Sequence, residues 1–175
     1  IATAQGRGGV GIIRVSGRNL LDFADTLSRK RPKPRIATLG DFHADDGSVI
    51  DSGLLLHFPA PNSFTGEEVL ELQGHGGTVV LQMLLARCLD LGARLAEPGE
   101  FTKRAFLNGR LDLSQAQAVM DIIQAKTEAS LRLAEGHLSG RFSAKIKALR
   151  HTILAQIAHM EAAIDFPEDD IDDVV

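Results

Sequence analysis

The stretch Glu97-Pro-Gly-Glu-Phe-Thr-Lys-Arg-Ala-Phe-Leu-Asn-Gly-Arg-Leu-Asp-Leu-Ser-Gln-Ala-Gln-Ala-Val-Met120 decides the fold, because two patterns meet in it. Before it, short strand-like and helical segments alternate between glycines. After it, apolar residues keep helical spacing almost without a break. Within it, Pro98-Gly99 marks a turn, and Glu100 to Leu107 carries a short helical pattern. Asn108-Gly109 suits a helix C-terminus, since glycine adopts the left-handed conformation freely. Asp112 or Ser114 then caps the next helix, with Gln115 or Gln117 three residues on. Lys103, Arg104 and Arg110 give this seam positive charge. It reads either as a solvated helix face or as a place for an anionic ligand or partner.

The surrounding composition fits a globular chain. Of 175 residues, 44% are hydrophobic and 24% charged, enough for a core in one or two domains. Net charge is −4, but six acidic residues and no basic one lie between Asp165 and Val175. The remainder holds 17 acids against 19 bases, too even a balance to propose nucleic acid as a partner on charge alone. Tyr and Trp are absent, so there is little material for base stacking. The single cysteine, Cys88, excludes an internal disulfide, lies in an apolar helical pattern and reads as a buried thiol in a reducing compartment. No apolar run approaches the ~18 residues needed to span a bilayer. The chain starts at Ile1 on a strand-like run and ends abruptly, so both ends are expected to be cut.

Working back toward the N-terminus, Ile1–Gln5 is expected to form an edge strand or the start of a strand. Gly6, Gly8 and Gly11 match the letter of the dinucleotide fingerprint, but a β-branched run follows where that fingerprint needs a helix. A turn or a close backbone approach is the better expectation. In the following strand Ile12, Arg14 and Ser16 share one face. Residues 18–29 read as a helix, and Ile36–Ala44 with Val49–Phe58 as a hairpin around Asp45-Asp46-Gly47-Ser48. Leu54-Leu55-Leu56 marks a central strand. A loop from Pro59 to Gly66 leads into a strand through Glu67–Gln73, with Glu71 in its middle, ended by a glycine turn at Gly74-His-Gly-Gly77. Glu71 is either an exposed alternate residue or a ligand contact. His75 is either an acid–base group or a side chain bonded to backbone at the turn. A helix over Thr78–Leu91 and a short strand over Ala93–Ala96 complete the first part. The fold class expected is α+β, with a mixed sheet.

Beyond the seam, one helix surrounds Ala116–Lys126 and Thr127 caps the next. From Leu131 to Ile164 every apolar step is three or four residues, so a single helix of roughly 55 Å is expected to reach Asp165, weakened at Gly136 and Gly140. Its stripe needs partner helices, from later residues or another subunit. Phe166-Pro167 stops it, and Glu168–Asp173 is an acidic linker. No phosphate loop, His-Glu-x-x-His pair or nucleophile elbow occurs.

Several long segments agree, in order, with one family. Gly6 to Gly17, Pro61-Asn-Ser-Phe-Thr-Gly-Glu-Glu-Val-Leu-Glu-Leu-Gln-Gly-His-Gly-Gly77, Arg94 to Met120 and Glu161-Ala-Ala-Ile-Asp-Phe-Pro-Glu168 resemble the N-terminal part of the bacterial tRNA-modification GTPases called TrmE or MnmE. The resemblance implies an N-terminal folate-binding and dimerisation domain over 1–113, similar to the tetrahydrofolate-binding domain of aminomethyltransferases. The first part of a helical domain follows over 114–175. It implies a 5-formyl-tetrahydrofolate-type one-carbon cofactor, a homodimer, a flavin-dependent partner protein and tRNA modified at C5 of the wobble uridine, in the cytoplasm and without a membrane. GTP, magnesium and potassium belong to a GTPase domain that this chain lacks, so the chain alone is expected to be inactive. The family's folate contacts fall on Arg14, Glu71 and Arg110. Family members carry lysine at the last position, and the family's C-terminal cysteine has no counterpart in Cys88. On chemical grounds Glu71 suits an aminopyrimidine edge, and Arg14 or Arg110 a glutamate tail. The alternative is a purely structural dimerisation or tethering module without a competent folate site.

Overall fold

In the computed structural model, residues 1–4 and 6–165 are described, and they fall into two compact units that divide between Leu111 and Asp112. The acidic linker and the stop at Phe166-Pro167 lie outside the described residues.

The first unit is built on a four-stranded sheet. Strands β1 (Gly8–Gly17), β2 (Thr38–His43), β3 (Val49–Phe58) and β4 (Glu68–Gly76) lie in the order β1-β4-β3-β2. The expected mixed sheet is antiparallel along all three ladders, and the isolated bridge Pro34–His57 is parallel. The class is α+β, as the sequence indicates. Leu54-Leu55-Leu56 lies in β3, an interior strand, in keeping with its unbroken apolar run. Helices α1 (Leu20–Ser28) and α2 (Thr78–Asp90) supply Leu20, Ala24, Leu27, Leu81, Leu84 and Cys88 to one core with Ile13, Phe42, Leu55, Leu70 and Leu72 of the sheet. Fully burying each Leu, Ile or Phe contributes roughly 1.5–3 kcal/mol. Two glycines make the packing possible. A Cβ on Gly53 would collide with the Gln73 carbonyl and come within 2.9 Å of the Phe42 ring, and one on Gly11 would meet Leu81 at 2.6 Å. The close approach expected of the glycine-rich segment is therefore real, but the segment is strand from Gly8 onward rather than turn.

Three local expectations fail for want of a partner. Ile1–Ala4 is not a strand: among the described residues it makes only the Ala2 N–H bond to the Ile12 carbonyl, 2.7 Å, and accepts the Ile12 N–H at Thr3 Oγ1, 3.3 Å. Gln5 lies outside the described residues. Ala93–Ala96 is not a strand either, because the Ala93 N–H closes the end of α2 on the Cys88 carbonyl, 3.1 Å, and no neighbouring strand receives the rest. Gly74-His75-Gly76 is not a turn: β4 continues through Gly76 because Gly8 and Gly11 of β1 pair with Gly76 and Gly74. Helix α3 (Glu100–Leu107) ends at Asn108, with Gly109 at φ +68.

The second unit holds α4 (Leu113–Gln124), α5 (Glu128–Leu138) and α6 (Arg141–Asp165). Asp112 and Gln115 form the capping box of α4; Thr127 and Ser130 form that of α5. The single long helix is two helices, broken at Ser139-Gly140, where Gly140 takes φ +77. An unbroken apolar period did not reveal the break, since a left-handed residue is a backbone event that leaves the side-chain spacing intact. No residue of α6 is buried, and Phe142, Ile146, Leu149, Ile153, Ile157, Met160 and Ile164 are exposed along it.

Candidate functional site

The core-forming helices cover one face of the sheet. The other face carries Ile12, Arg14 and Ser16 of β1 opposite Gln73, Glu71 and Val69 of β4, an arrangement set by the register Arg14–Glu71. This register brings two of the three predicted contacts, Arg14 and Glu71, together on neighbouring strands of one face. Arg14 Nε and Nη2 both donate to Glu71 Oε1, at 2.9 and 2.7 Å. The pair is partly sheltered: the Arg14 side chain is 33% exposed and that of Glu71 14%. Among the described residues Glu71 Oε2 receives only a long bond, 3.4 Å, from Gln73 Nε2, which leaves that oxygen with acceptor capacity. The Arg14 guanidinium lies 5.9 Å from the ring centres of both Phe64 and Phe101.

Those two rings are held by a network. Phe64 lies in the loop before β4, Phe101 on α3. Thr65 is fully buried and its Oγ1 lies 2.7 Å from Ser16 Oγ; its carbonyl accepts from Asn108 Nδ2 at 2.7 Å. Ser16 Oγ also donates to Glu67 Oε2, 3.1 Å, which receives Arg104 Nη1 at 2.8 Å. Arg104 further donates to Glu100 Oε1 from Nε, 3.0 Å, and Nη2, 2.8 Å. Glu100 is buried and takes two more bonds from Arg94 and one from the Glu97 N–H. The Arg94 bonds, then the Glu97 N–H and Arg104, hold its carboxyl down to about 2. Loop, strand β1 and helix α3 are thus tied around Arg14.

Arg110 is exposed, just past α3, its N–H bonded to the Ala105 carbonyl at 2.8 Å. Its stem lies against Gly66, where an added Cβ would sit 3.1 Å from Arg110 Cγ. It forms no hydrogen bond with Arg14 or Glu71 among the described residues. Of the seam cations, Arg104 is not a free charge but the link between Glu67 and Glu100, whereas Lys103 is exposed. The spacing of Glu100 and Arg104, four apart on a helix, was the available signal for this link. Phe64, Phe101 and Gln73 carried no signal of their own. Cys88 is buried and its thiol is pushed up to about 12 by burial, the reverse of an activated nucleophile. No group of three or more His, Cys, Asp or Glu residues able to hold a metal occurs among the described residues, and no helix among them is long and apolar enough to cross a membrane.

Two family models match side by side. The model described as GTP-binding protein TrmE N-terminus covers residues 1–110, and that of the MnmE helical domain covers 113–175. The chain belongs to the TrmE/MnmE family. Its relatives include the tRNA modification GTPase MnmE of Dechloromonas aromatica, 64% identical over 98% of this chain and 38% of the relative. Those of Azoarcus sp. and Neisseria meningitidis are 60% and 61% identical over the same shares. The chain thus spans under two fifths of the length of these relatives.

Proposed function

We propose that this chain is the N-terminal portion of a GTPase that modifies C5 of the wobble uridine of tRNA together with a flavin-dependent partner protein, in the cytoplasm. In this reading residues 1–113 bind a 5-formyl-tetrahydrofolate-type cofactor through Arg14, Glu71 and Arg110 and mediate homodimerisation, and 114–175 begin the helical domain. GTP, magnesium and potassium act in a part of the longer protein beyond this chain. The observation that carries the reading is the sheltered Arg14–Glu71 pair on the sheet face away from the core, with Glu71 Oε2 left to accept. An aminopyrimidine edge offers the N–H donors such an oxygen takes, and Arg110, exposed beside the loop, suits the carboxylates of a glutamate tail.

Calorimetric titration of the chain with 5-formyl-tetrahydrofolate is the test. Binding is expected, and Glu71→Ala is expected to abolish it; an unchanged affinity removes Glu71 from the site. Light scattering of the same samples reports the homodimer. A second reading, a dimerisation or tethering module without a competent folate site, draws on the fact that Arg14 and Glu71 already neutralise each other. Dimers with no folate binding favour that reading.

A further inference from the structure

The loop that leads into β4 inverts the usual order of burial. Ser63 is 7% exposed and Thr65 fully buried, while Phe64 between them is 39% exposed. Phenylalanine is ordinarily the residue inside, and serine and threonine the ones outside. A lone exposed apolar side chain is common on a protein surface. Here, however, both flanking hydroxyls are used to hold the loop in this orientation. Ser63 Oγ donates to the Glu67 carbonyl and accepts the Gly66 N–H at 3.0 Å. Thr65 Oγ1, beside Ser16, also accepts the Glu67 N–H at 3.3 Å. With the hydroxyls fixed inward, the ring of Phe64 stays out. The contact with Arg14 does not account for it: 5.9 Å is near the outer limit of a cation–π attraction, and half-buried Phe101 stands at the same distance. The same loop reaches both predicted cations. Phe64 lies beside Arg14, and Gly66, two residues on, lies against the Arg110 stem. His75, whose Nδ1 is 2.7 Å from Asp51 Oδ1, lies on the opposite side of Glu71 from Arg110 and outside this arrangement.

We infer that Phe64 is a ligand-contacting residue, the platform on which the flat bicyclic end of the folate-type ligand lies. Planar rings attract when offset or tilted with centres about 4.5–7 Å apart, which needs an accessible ring held in place. A ring lying on Phe64 stays next to the Arg14–Glu71 pair. Its aminopyrimidine edge then meets Glu71 Oε2, and the glutamate tail runs past Gly66 toward Arg110. Glu71 and Arg110 address the edge and the tail of such a ligand; Phe64 supplies the apolar face. The inference rests on the folate reading given above.

The test is calorimetric titration with 5-formyl-tetrahydrofolate, with thermal melting as the folding control and light scattering for the oligomeric state. Phe64→Ala is expected to weaken binding about 10- to 100-fold, as when an aromatic platform is removed from beneath a base, without lowering the melting temperature. Phe64→Leu keeps apolar bulk without a ring and is expected to bind about 3- to 10-fold more weakly than the parent, and Phe64→Tyr within about threefold of it. Parental affinity in Phe64→Ala overturns the proposal and leaves the folate reading standing. Affinity lost only together with a dimer makes Phe64 an interface residue and also overturns it. No binding by the unsubstituted chain overturns both readings. Should Phe64→Ala fail to fold, Phe64→Trp decides, because the chain has no other Trp or Tyr. Its emission is expected to be quenched to saturation by the folate, with Phe142→Trp as the control for light absorbed by the free ligand. Quenching no greater than in that control overturns the contact.

Discussion

Removing Arg14 should harm the sheet mainly by what it leaves behind. At 2.7 Å and an effective dielectric constant near 20, the attraction between Arg14 and Glu71 is roughly 6 kcal/mol before desolvation is counted. Desolvation of both ions takes back most of it, and the one-third exposure of Arg14 screens the remainder, so a net loss of about 1.5–2 kcal/mol is the reasonable figure for Arg14→Met. Glu71→Leu should cost a similar amount, because it strands the guanidinium between two Phe rings. The double substitution Arg14→Met/Glu71→Leu leaves no uncompensated charge and adds apolar contact, so it should return close to the starting stability. Hydrogen exchange at the Leu72 amide, in β4 beside the pair, follows this sheet separately from the helices of the second unit. Each single substitution should speed exchange about 10- to 30-fold, and the double should lie within about threefold of the parent. Additive losses in the double substitution would refute the reasoning. The same double variant should bind no 5-formyl-tetrahydrofolate, which separates the stability of the face from its proposed use.

Gly53→Ala, which drives a methyl into the Gln73 carbonyl, should destabilise the sheet by about 3 kcal/mol, while Gly17→Ala, where an added Cβ meets nothing within 4 Å, should stay within about 0.5 kcal/mol; urea unfolding compares them. The Glu100 carboxyl is held below its ordinary value of 4.5, so its contribution is complete above that value and is lost as pH falls through about 2. Carbon-13 titration of Glu100 should therefore show no midpoint near pH 4.5, and Glu100→Gln should loosen α3 at neutral pH as measured by exchange at the Ala105 amide. Cys88, with its thiol raised to about 12, should resist iodoacetamide at pH 8 in the folded chain and react in 6 M guanidinium, read by mass spectrometry.

Features set by neighbouring residues were legible. Helix α3, its end at Asn108-Gly109 and the Asp112–Gln115 capping box each rest on signals within four residues. The pairing of Arg14 with Glu71 rests on strand register between residues 57 apart, so alternation placed each on a face but could not bring them together. His75 and Asp51 are likewise 24 residues apart, and their bond became visible only when β4 ran on through Gly76 instead of turning. Ala93–Ala96 has the composition of a strand and lacks a neighbour to pair with. Gly140 carried information on the break between α5 and α6, but the apolar period on both sides stayed in phase and masked it. The charge of Arg104 and its helical spacing from Glu100 were legible; that Glu67 also absorbs that charge was not, because Glu67 lies 37 residues away.

The order β1-β4-β3-β2 also has a consequence for how the chain is made. The β2–β3 hairpin can close as soon as its own residues exist, but β1, made first, must wait for a partner 57 residues downstream. At ~5–20 residues per second, synthesis imposes a delay of about 3–11 s in which β1, with Ile12, Ile13 and Val15, has no strand to pair with. That interval is when a nascent-chain chaperone has most to protect, and it ends only when translation reaches β4.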